Sequence, residues 1–213
     1  MDNAILQEIR PALQRGDRKA VERLTARAFE EGVSIKEIIN HALVAEMEAI
    51  GTRFKANEIF IPEVLISARA MHAGMAILEP HFVKHGIKPI GKVLIGTVKG
   101  DLHDIGKNIV SMMLRGACFE IYDLGIDVSP QKFIDAARAK KIDAIAMSSL
   151  LTTSMNAMKE TISALYAAGL RDKVKVVVGG APVTQEFAKA IGADGYARDA
   201  ATAVDCVKEL LVG

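Results

Sequence analysis

Two hydrophobic periodicities divide the chain. Through residue 86 apolar side chains recur at helical spacing. Ile5, Ile9 and Leu13 mark a first helix that stops near Gly16, and Asp17 caps a second carrying Val21, Leu24 and Ala28 as far as Gly32. Ser34-Ile35-Lys36-Glu37 reads as a capping box opening a third, with Ile38, Ile39, Leu43, Met47 and Ile50 on one face. Phe54 is followed by a short polar break, Lys55 to Glu58. Pro62 then sits in the first turn of a fourth helix, where proline is tolerated, ahead of Val64, Leu65, Ala68, Met71, Met75 and Leu78. Four helices with short connections predict a bundle over residues 1–86.

A stretch with two glycines and a proline, His85 to Gly91, separates the halves, and the linker proper is set at residues 87–91. From residue 92 to 213 short β-branched runs alternate with amphipathic segments. Strands are predicted at Val93–Val98, Glu120–Asp123, Ala144–Ser148, Val174–Val178 and, weakly, at Gly195-Tyr196. Helices fall at roughly 105–117, 130–140, 152–169, 183–191 and 200–211. Strand, helix, strand at this spacing predicts a doubly wound parallel α/β sheet of flavodoxin or Rossmann type. The all-apolar runs Ile145-Ala146-Met147 and Val176-Val177-Val178 fit strands covered on both faces.

Composition narrows the function. Half of the 213 residues are hydrophobic and a quarter are charged, an ordinary globular balance. A formal charge of +1 supplies no basic field, and three Tyr with no Trp supply no stacking platform, so nucleic acid is not expected as a partner. No basic and apolar leader opens the chain, and no apolar run reaches about 18 residues, so neither a signal peptide nor a membrane span is expected. Cys118 and Cys206 read as buried thiols of a reducing, cytoplasmic setting rather than as a bridge.

The chemistry concentrates between the first α/β strand and its helix, in Gly100-Asp101-Leu102-His103-Asp104-Ile105-Gly106. In an open α/β sheet ligands collect at the carboxyl ends of the strands. Asp101 and His103 are two apart, so in an extended loop both can lie on one side. A carboxylate that holds one imidazole nitrogen leaves the other free as a ligand or base. Gly106 removes a side chain where φ is unusual or where backbone must approach something bulky. The same edge would carry the hydroxyl-rich Ser148 to Ser154, including Leu150 and Thr152, and then Gly179-Gly180. Read singly, each has an ordinary alternative: a solvated loop histidine, a helix cap, a tight turn.

Together, in order and at this spacing, Asp101-x-His103-x-x-Gly106, Ser148-x-Leu150 and Gly179-Gly180 resemble the D-x-H-x-x-G, S-x-L and G-G series of corrinoid-binding proteins. The helical half, through Phe54 to Pro62 and on to Pro80, resembles the cap of methionine synthase and of methanogen and acetogen corrinoid proteins. The resemblance implies a helical cap followed by a cobalamin-binding domain. It also implies a cobalt corrinoid bound with its own base displaced and His103 as the lower axial ligand. Asp101 would hold the ring and Ser154 would extend that chain. The nucleotide tail would lie along Ser148, Leu150, Thr152, Gly179 and Gly180. Leu102, Asp104, Ile105 and Gly106 would border the lower face, with Phe54 and Ile61 over the upper one. The implied activity is methyl carriage, cobalt passing between Co(I) and methyl-Co(III). A donor-specific methyltransferase, an acceptor methyltransferase and a reductive activation protein are the implied partners. Donors would be methanol, methylamines, betaines or phenyl methyl ethers, and acceptors a thiol coenzyme or tetrahydrofolate.

Three other readings share parts of the pattern. The cobalamin subunit of a radical mutase carries the same loop motif, but an adenosyl group leaves little room for a helical cap. A light- or corrinoid-sensing regulator needs an output domain. His103-Asp104 also matches the short signature of HD-type metal phosphohydrolases, which are all-helical and need further ligands. Two positions depart from the resembled pattern and bear on the tail contacts: Arg198, where proline is common, and Ser149, where a smaller residue is usual.

Overall fold

The computed structural model describes residues 4–82 and 88–213. It divides into two compact units, Met1–Lys88 with Arg115–Cys118, and Pro89–Leu114 with Phe119–Gly213. Residues 83–87 lie outside the described residues, and with them the first part, 85–87, of the expected connection.

The first unit is helical. α1 (Ala4–Gln14) and α2 (Arg18–Glu30) are separated by Asp17, whose side chain caps α2 by accepting from the Ala20 amide at 3.0 Å. Ser34 and Glu37 form the reciprocal capping box at α3 (Ile35–Glu37). The expected single third helix continues from α3 through a π-helical segment, Ile38–Val44, into α4 (Ala45–Lys55). The wider turn brings two adjacent residues inward per revolution, so Ile38 with Ile39, and Ala42 with Leu43, are all buried. Buried Glu46 is satisfied by Arg10 Nε at 2.8 Å and Gln14 Nε2 at 2.5 Å, as an interior carboxylate must be. α5 (Ile61–Leu78) carries Pro62 in its first turn and packs against α2.

α5 bears on the expectation that no segment spans a membrane. With the 3-10 turn Glu79–His81 it forms a helix of 21 residues and mean hydropathy 1.2, long and apolar enough to meet the length and composition of a membrane span. The reason lies in its packing. Nine of its residues, among them Val64, Ala68, Met71 and Leu78, are buried inside the unit, so the helix is apolar on most sides because it is a core element.

The second unit is a five-stranded parallel sheet of order β2-β1-β3-β4-β5. Its strands are β1 (Lys92–Thr97), β2 (Glu120–Asp123), β3 (Ala144–Ser148), β4 (Lys175–Gly179) and β5 (Gly195–Ala197). Between and after them run α6 (Ile105–Gly116), α7 (Pro130–Lys140), α8 (Asn156–Ala167), α9 (Gln185–Ile191) and α10 (Ala200–Val212). One sheet face buries Leu94, Ile145, Met147, Val176 and Val178 against Phe133, Ile134, Met158, Ile162 and Leu165 of α7 and α8. The alternate residues Val93, Ile95, Ala144, Ala146 and Val177 are buried as well, which accounts for the all-apolar strands. β1 and β4 lie one residue away from their expected positions.

The order 2-1-3-4-5 turns around between β1 and β3. That switch point is where the loops after two neighbouring strands diverge and leave a crevice.

Candidate functional site

Register brings the loops to one level. Thr97 of β1 pairs with Ser148 of β3, Ser148 with Gly179 of β4, and Gly179 with Ala197 of β5. These four residues form a row across the carboxyl edge of the sheet. The segments that leave it hold Asp101 and His103, then Ser149 to Ser154, then Gly180. The first two flank the switch point.

Asp101 joins them. It is 0% exposed, and its carboxylate accepts from both loops. Oδ1 takes the His103 amide at 3.0 Å and lies 2.9 Å from the His103 ring Nδ1. Oδ2 takes the amides of Leu150 at 2.6 Å and Leu151 at 3.2 Å and the Ser154 hydroxyl at 3.0 Å, with Ser149 Oγ at 3.4 Å. Burial alone would push this carboxyl up. The hydrogen bonds from the His103 and Leu150 amides, the His103 ring and Ser154 overcome that and hold it well below the usual carboxylate range.

An ionised carboxylate only accepts, so Nδ1 of His103 carries the proton facing it. The lone pair is therefore on Nε2. The His103 side chain is 53% exposed, against a fully buried partner, so the imidazole is anchored at one nitrogen while the ring reaches out of the protein surface. The loop backbone is fixed too. Thr97 Oγ1 donates to the His103 carbonyl at 2.8 Å, and the Asp127 amide donates to the Asp101 carbonyl at 3.0 Å.

Around this ring the surface is apolar. Leu102 is 69% and Ile105 73% exposed, and Leu150 and Leu151 are also exposed large hydrophobics. Apolar side chains gathered about one free polar atom mark a ligand surface better than a solvated loop. Gly180 has φ +127°, and a Cβ there would lie 1.8 Å from the Ser149 carbonyl oxygen, so the glycine is required by loop against loop. Gly106 differs. Its φ is not in the left-handed region, and among the described residues a Cβ would meet nothing within 4 Å. The fold does not demand a glycine there, which leaves the approach of something bulky as the reason for one.

These features have counterparts in known proteins. Residues 91–205 match the B12 binding domain family, and residues 5–79 match a second family of the same description. A corrinoid protein of Desulfitobacterium hafniense (strain Y51) is 41% identical over 211 residues, 98% of each chain. Dimethylamine corrinoid protein 1 of Methanosarcina mazei is 42% identical over 210 residues, 98% of this chain and 97% of that one. The chain belongs to the B12-binding corrinoid proteins. Its fold is also that of a chain in the methanol:cobalamin methyltransferase complex of Methanosarcina barkeri, with TM-score 0.87, 30% identity, and coverage of 100% of this chain and 81% of that one.

The corrinoid-protein family fits the residues present: one free imidazole nitrogen, an apolar rim for a broad ring, and open space over Gly106. The HD-type alternative fits poorly. The histidine follows a strand of a parallel sheet, and among the described residues no group of three His, Cys, Asp or Glu could hold a metal.

The structure brings Asp101, His103, Ser154 and Leu150 together, with Leu102, Asp104, Ile105 and Gly106 beside them at the start of α6. Asp104 accepts from Asn108 Nδ2 at 3.0 Å across the first turn. Ser148 is the half-buried last residue of β3, Thr152 is exposed in the turn that follows, Gly179 is the last residue of β4 and Gly180 opens the loop after it. Phe54 and Ile61 belong to the helical unit, Phe54 half-buried in the last turn of α4 and Ile61 exposed as the first residue of α5.

Sequence reasoning missed two residues. Exposed Phe60 adjoins Ile61. Buried Lys107 pairs with Asp123 at 2.5 Å and Asn108 at 2.7 Å, tying the first turn of α6 to the end of β2. A cation in a first helical turn opposes the helix dipole, and that misplacement was the available signal. Ser149 was named in the sequence as bearing on the tail contacts, but the structure gives it another place. Its hydroxyl is buried in the Asp101 cluster rather than presented at the surface, while Arg198 extends into solvent with its Nε 3.2 Å from Asp199.

Proposed function

We propose that this chain is a methyl carrier, a cytoplasmic corrinoid subunit charged by a donor-specific methyltransferase and discharged by an acceptor-specific one. The observation that carries the reading is the direction of His103. Its Nδ1 is bonded inward to Asp101 and its ring stands half-exposed, so that in the neutral imidazole Nε2 carries the lone pair. The names of the relatives supply the chemical class, since one is a dimethylamine corrinoid protein and another belongs to a methanol:cobalamin methyltransferase complex.

When bound, the corrinoid supplies a cobalt that takes up and releases a methyl group, alternating between a reduced nucleophilic and a methylated state. The chain's residues do the rest. His103 Nε2 would be the nitrogen that holds the cobalt. Asp101 fixes its tautomer and direction, a carboxylate–histidine arrangement common to metal sites. Leu102 and Ile105 would cover the corrinoid beside His103, and Leu150 would lie along its nucleotide tail. Ser148, Thr152, Gly179 and Gly180 border the path of the nucleotide tail. Phe54 and Ile61 are assigned to the upper face, where apolar cover keeps water and oxidants from a reactive metal. Partners must reach that face, so the cover has to move, and a reductive activation protein would rescue any carrier that oxidises.

Cobalamin offered to the full chain, grown with 15N-labelled histidine, tests the reading. The cobalt(II) resonance should show coupling to a labelled nitrogen. An unaltered pattern would place the wrong atom on the metal. Gly106→Ala separates fold from ligand. Alanine is the better helix former by about 0.5–1 kcal/mol, so thermal stability should hold or rise while cobalamin uptake falls. Unchanged uptake would remove Gly106 from the site. For the other face, Phe54→Ala should shorten the lifetime of the reduced, cobalamin-loaded protein in air, and an unchanged lifetime would free Phe54 of the covering role.

A further inference from the structure

Ser149 is the buried hydroxyl that the reading above leaves unused. It is 1% exposed, and its backbone is fixed by a hydrogen bond from its amide to the Gly179 carbonyl at 3.1 Å. Its Oγ lies 2.7 Å from Ser154 Oγ, 3.0 Å from the Leu151 carbonyl and 3.4 Å from Asp101 Oδ2. Ser154 Oγ reaches the same two acceptors, at 3.0 Å each. Two hydroxyls hold two protons, and their mutual contact uses one. The other goes to the stronger acceptor, and a carboxylate outranks a peptide carbonyl. The protons therefore run from Ser149 to Ser154 and from Ser154 to Asp101.

We propose that Ser149 is a positioning residue that loosens the hold of His103 on cobalt. This rests on His103 being the lower ligand. Donation from Ser149 strengthens the donation of Ser154 to Asp101, because chained hydrogen bonds polarise one another. Charge is drawn toward Oδ2. Oδ1 becomes a weaker acceptor for the imidazole Nδ1–H, and Nε2 a poorer electron donor. A carrier that must let go of its axial nitrogen in every cycle gains from a ligand tuned below full strength. The hydroxyl departs from the smaller residue usual there, and it acts inside the Asp101 cluster.

The sign of the effect tests the idea. In the full chain without corrinoid, Ser149→Ala should move the His103 Nδ1 proton resonance downfield, the mark of a stronger bond to Asp101. In the same variant loaded with methylcobalamin at one fixed pH, the ratio of histidine-on to histidine-off absorption should rise about two- to tenfold, the range of a single hydrogen bond. Ser149→Thr keeps the hydroxyl and should match the parent. Ser149→Cys, a weaker donor of similar size, should shift both readouts the same way as alanine but less. A proton resonance that stays or moves upfield, or a ratio that stays or falls, overturns the proposal, since a merely structural role would loosen ligation on truncation. The two readings fail separately. If labelled His103 is on cobalt and Ser149→Ala changes nothing, only this inference falls. If His103 is not on cobalt, the corrinoid-free resonance still reports whether Ser149 acts on Asp101.

Discussion

Replacing His103 with alanine is expected to abolish coupling between cobalt and any nitrogen of the polypeptide while leaving the fold in place. The side chain is half-exposed, and its one hydrogen bond from the ring goes to a carboxylate that keeps its remaining donors: the His103 amide, Leu150, Leu151 and Ser154. Little apolar burial is lost, so the stability change should stay within about 1 kcal/mol. The cofactor side is different. Loss of outer partners of a metal ligand already costs about 10- to 100-fold in affinity, and loss of the ligand itself should cost no less. The measurement is cobalamin binding by the full chain, with the cobalt(II) resonance of whatever remains bound, beside the helix content of the same sample. A variant that binds as the parent does, with labelled nitrogen still on cobalt, would end the axial-ligand reading.

Much of the architecture was legible because it is written in side chains. Parallel strands covered on both faces must be continuous apolar runs, and Ala144–Ser148 is one. Asp17 and Ser34 announce helix starts through the hydrogen bonds their side chains make. What backbone amides do leaves no such mark. The helix expected over 152–169 begins only at Asn156, because Asp101, from another loop, captures the amides of Leu150 and Leu151 and the Ser154 hydroxyl. A carboxylate some 50 residues away in sequence thus displaces the start of α8. The π-helical turn at Ile38–Val44 was hidden for a related reason: its apolar stripe reads as an ordinary amphipathic helix, and only pairs such as Ile38-Ile39 hint at a wider turn.

The candidate site splits along the same line. Asp101, His103 and Ser154 were visible as residue types at a spacing. The convergence of five donors on one buried carboxylate was not, since two of them are the amides of apolar residues. That convergence makes the imidazole directional. A histidine beside a solvated aspartate would sample both tautomers, whereas one beside a buried, fully bonded carboxylate keeps its Nε2 lone pair outward.

Asp101→Asn should therefore do more damage than its near-identical shape suggests. The amide has one acceptor oxygen. If that oxygen faces Leu150, Leu151 and Ser154, the NH2 group faces the His103 amide and ring. One of its protons then donates to Nδ1 and forces the proton to Nε2, removing the lone pair that the cofactor site needs. The same logic governs histidine–aspartate pairs in hydrolases. Cobalamin affinity should fall roughly 10- to 100-fold. Stability should fall too, by about 1–3 kcal/mol, because the buried His103 amide is left facing a donor. The three tyrosines, Tyr122, Tyr166 and Tyr196, all lie in the α/β unit and the chain has no Trp, so tyrosine emission during urea unfolding of the corrinoid-free chain reads that unit alone. The pH dependence has a definite sign. The folded carboxyl is held below its unfolded value, so its contribution is complete above the unfolded pKa of about 4 and drains away as pH falls below it toward the folded value. The gap in urea midpoint between parent and Asp101→Asn should be wide and flat from pH 5 to 7 and should close as the solution is acidified. A gap that stayed constant down to pH 2 would mean that folding does not lower the pKa of this carboxyl, and a gap that widened on acidification would mean that the folded carboxyl is not ionised; the second result would remove the argument for an outward Nε2 lone pair.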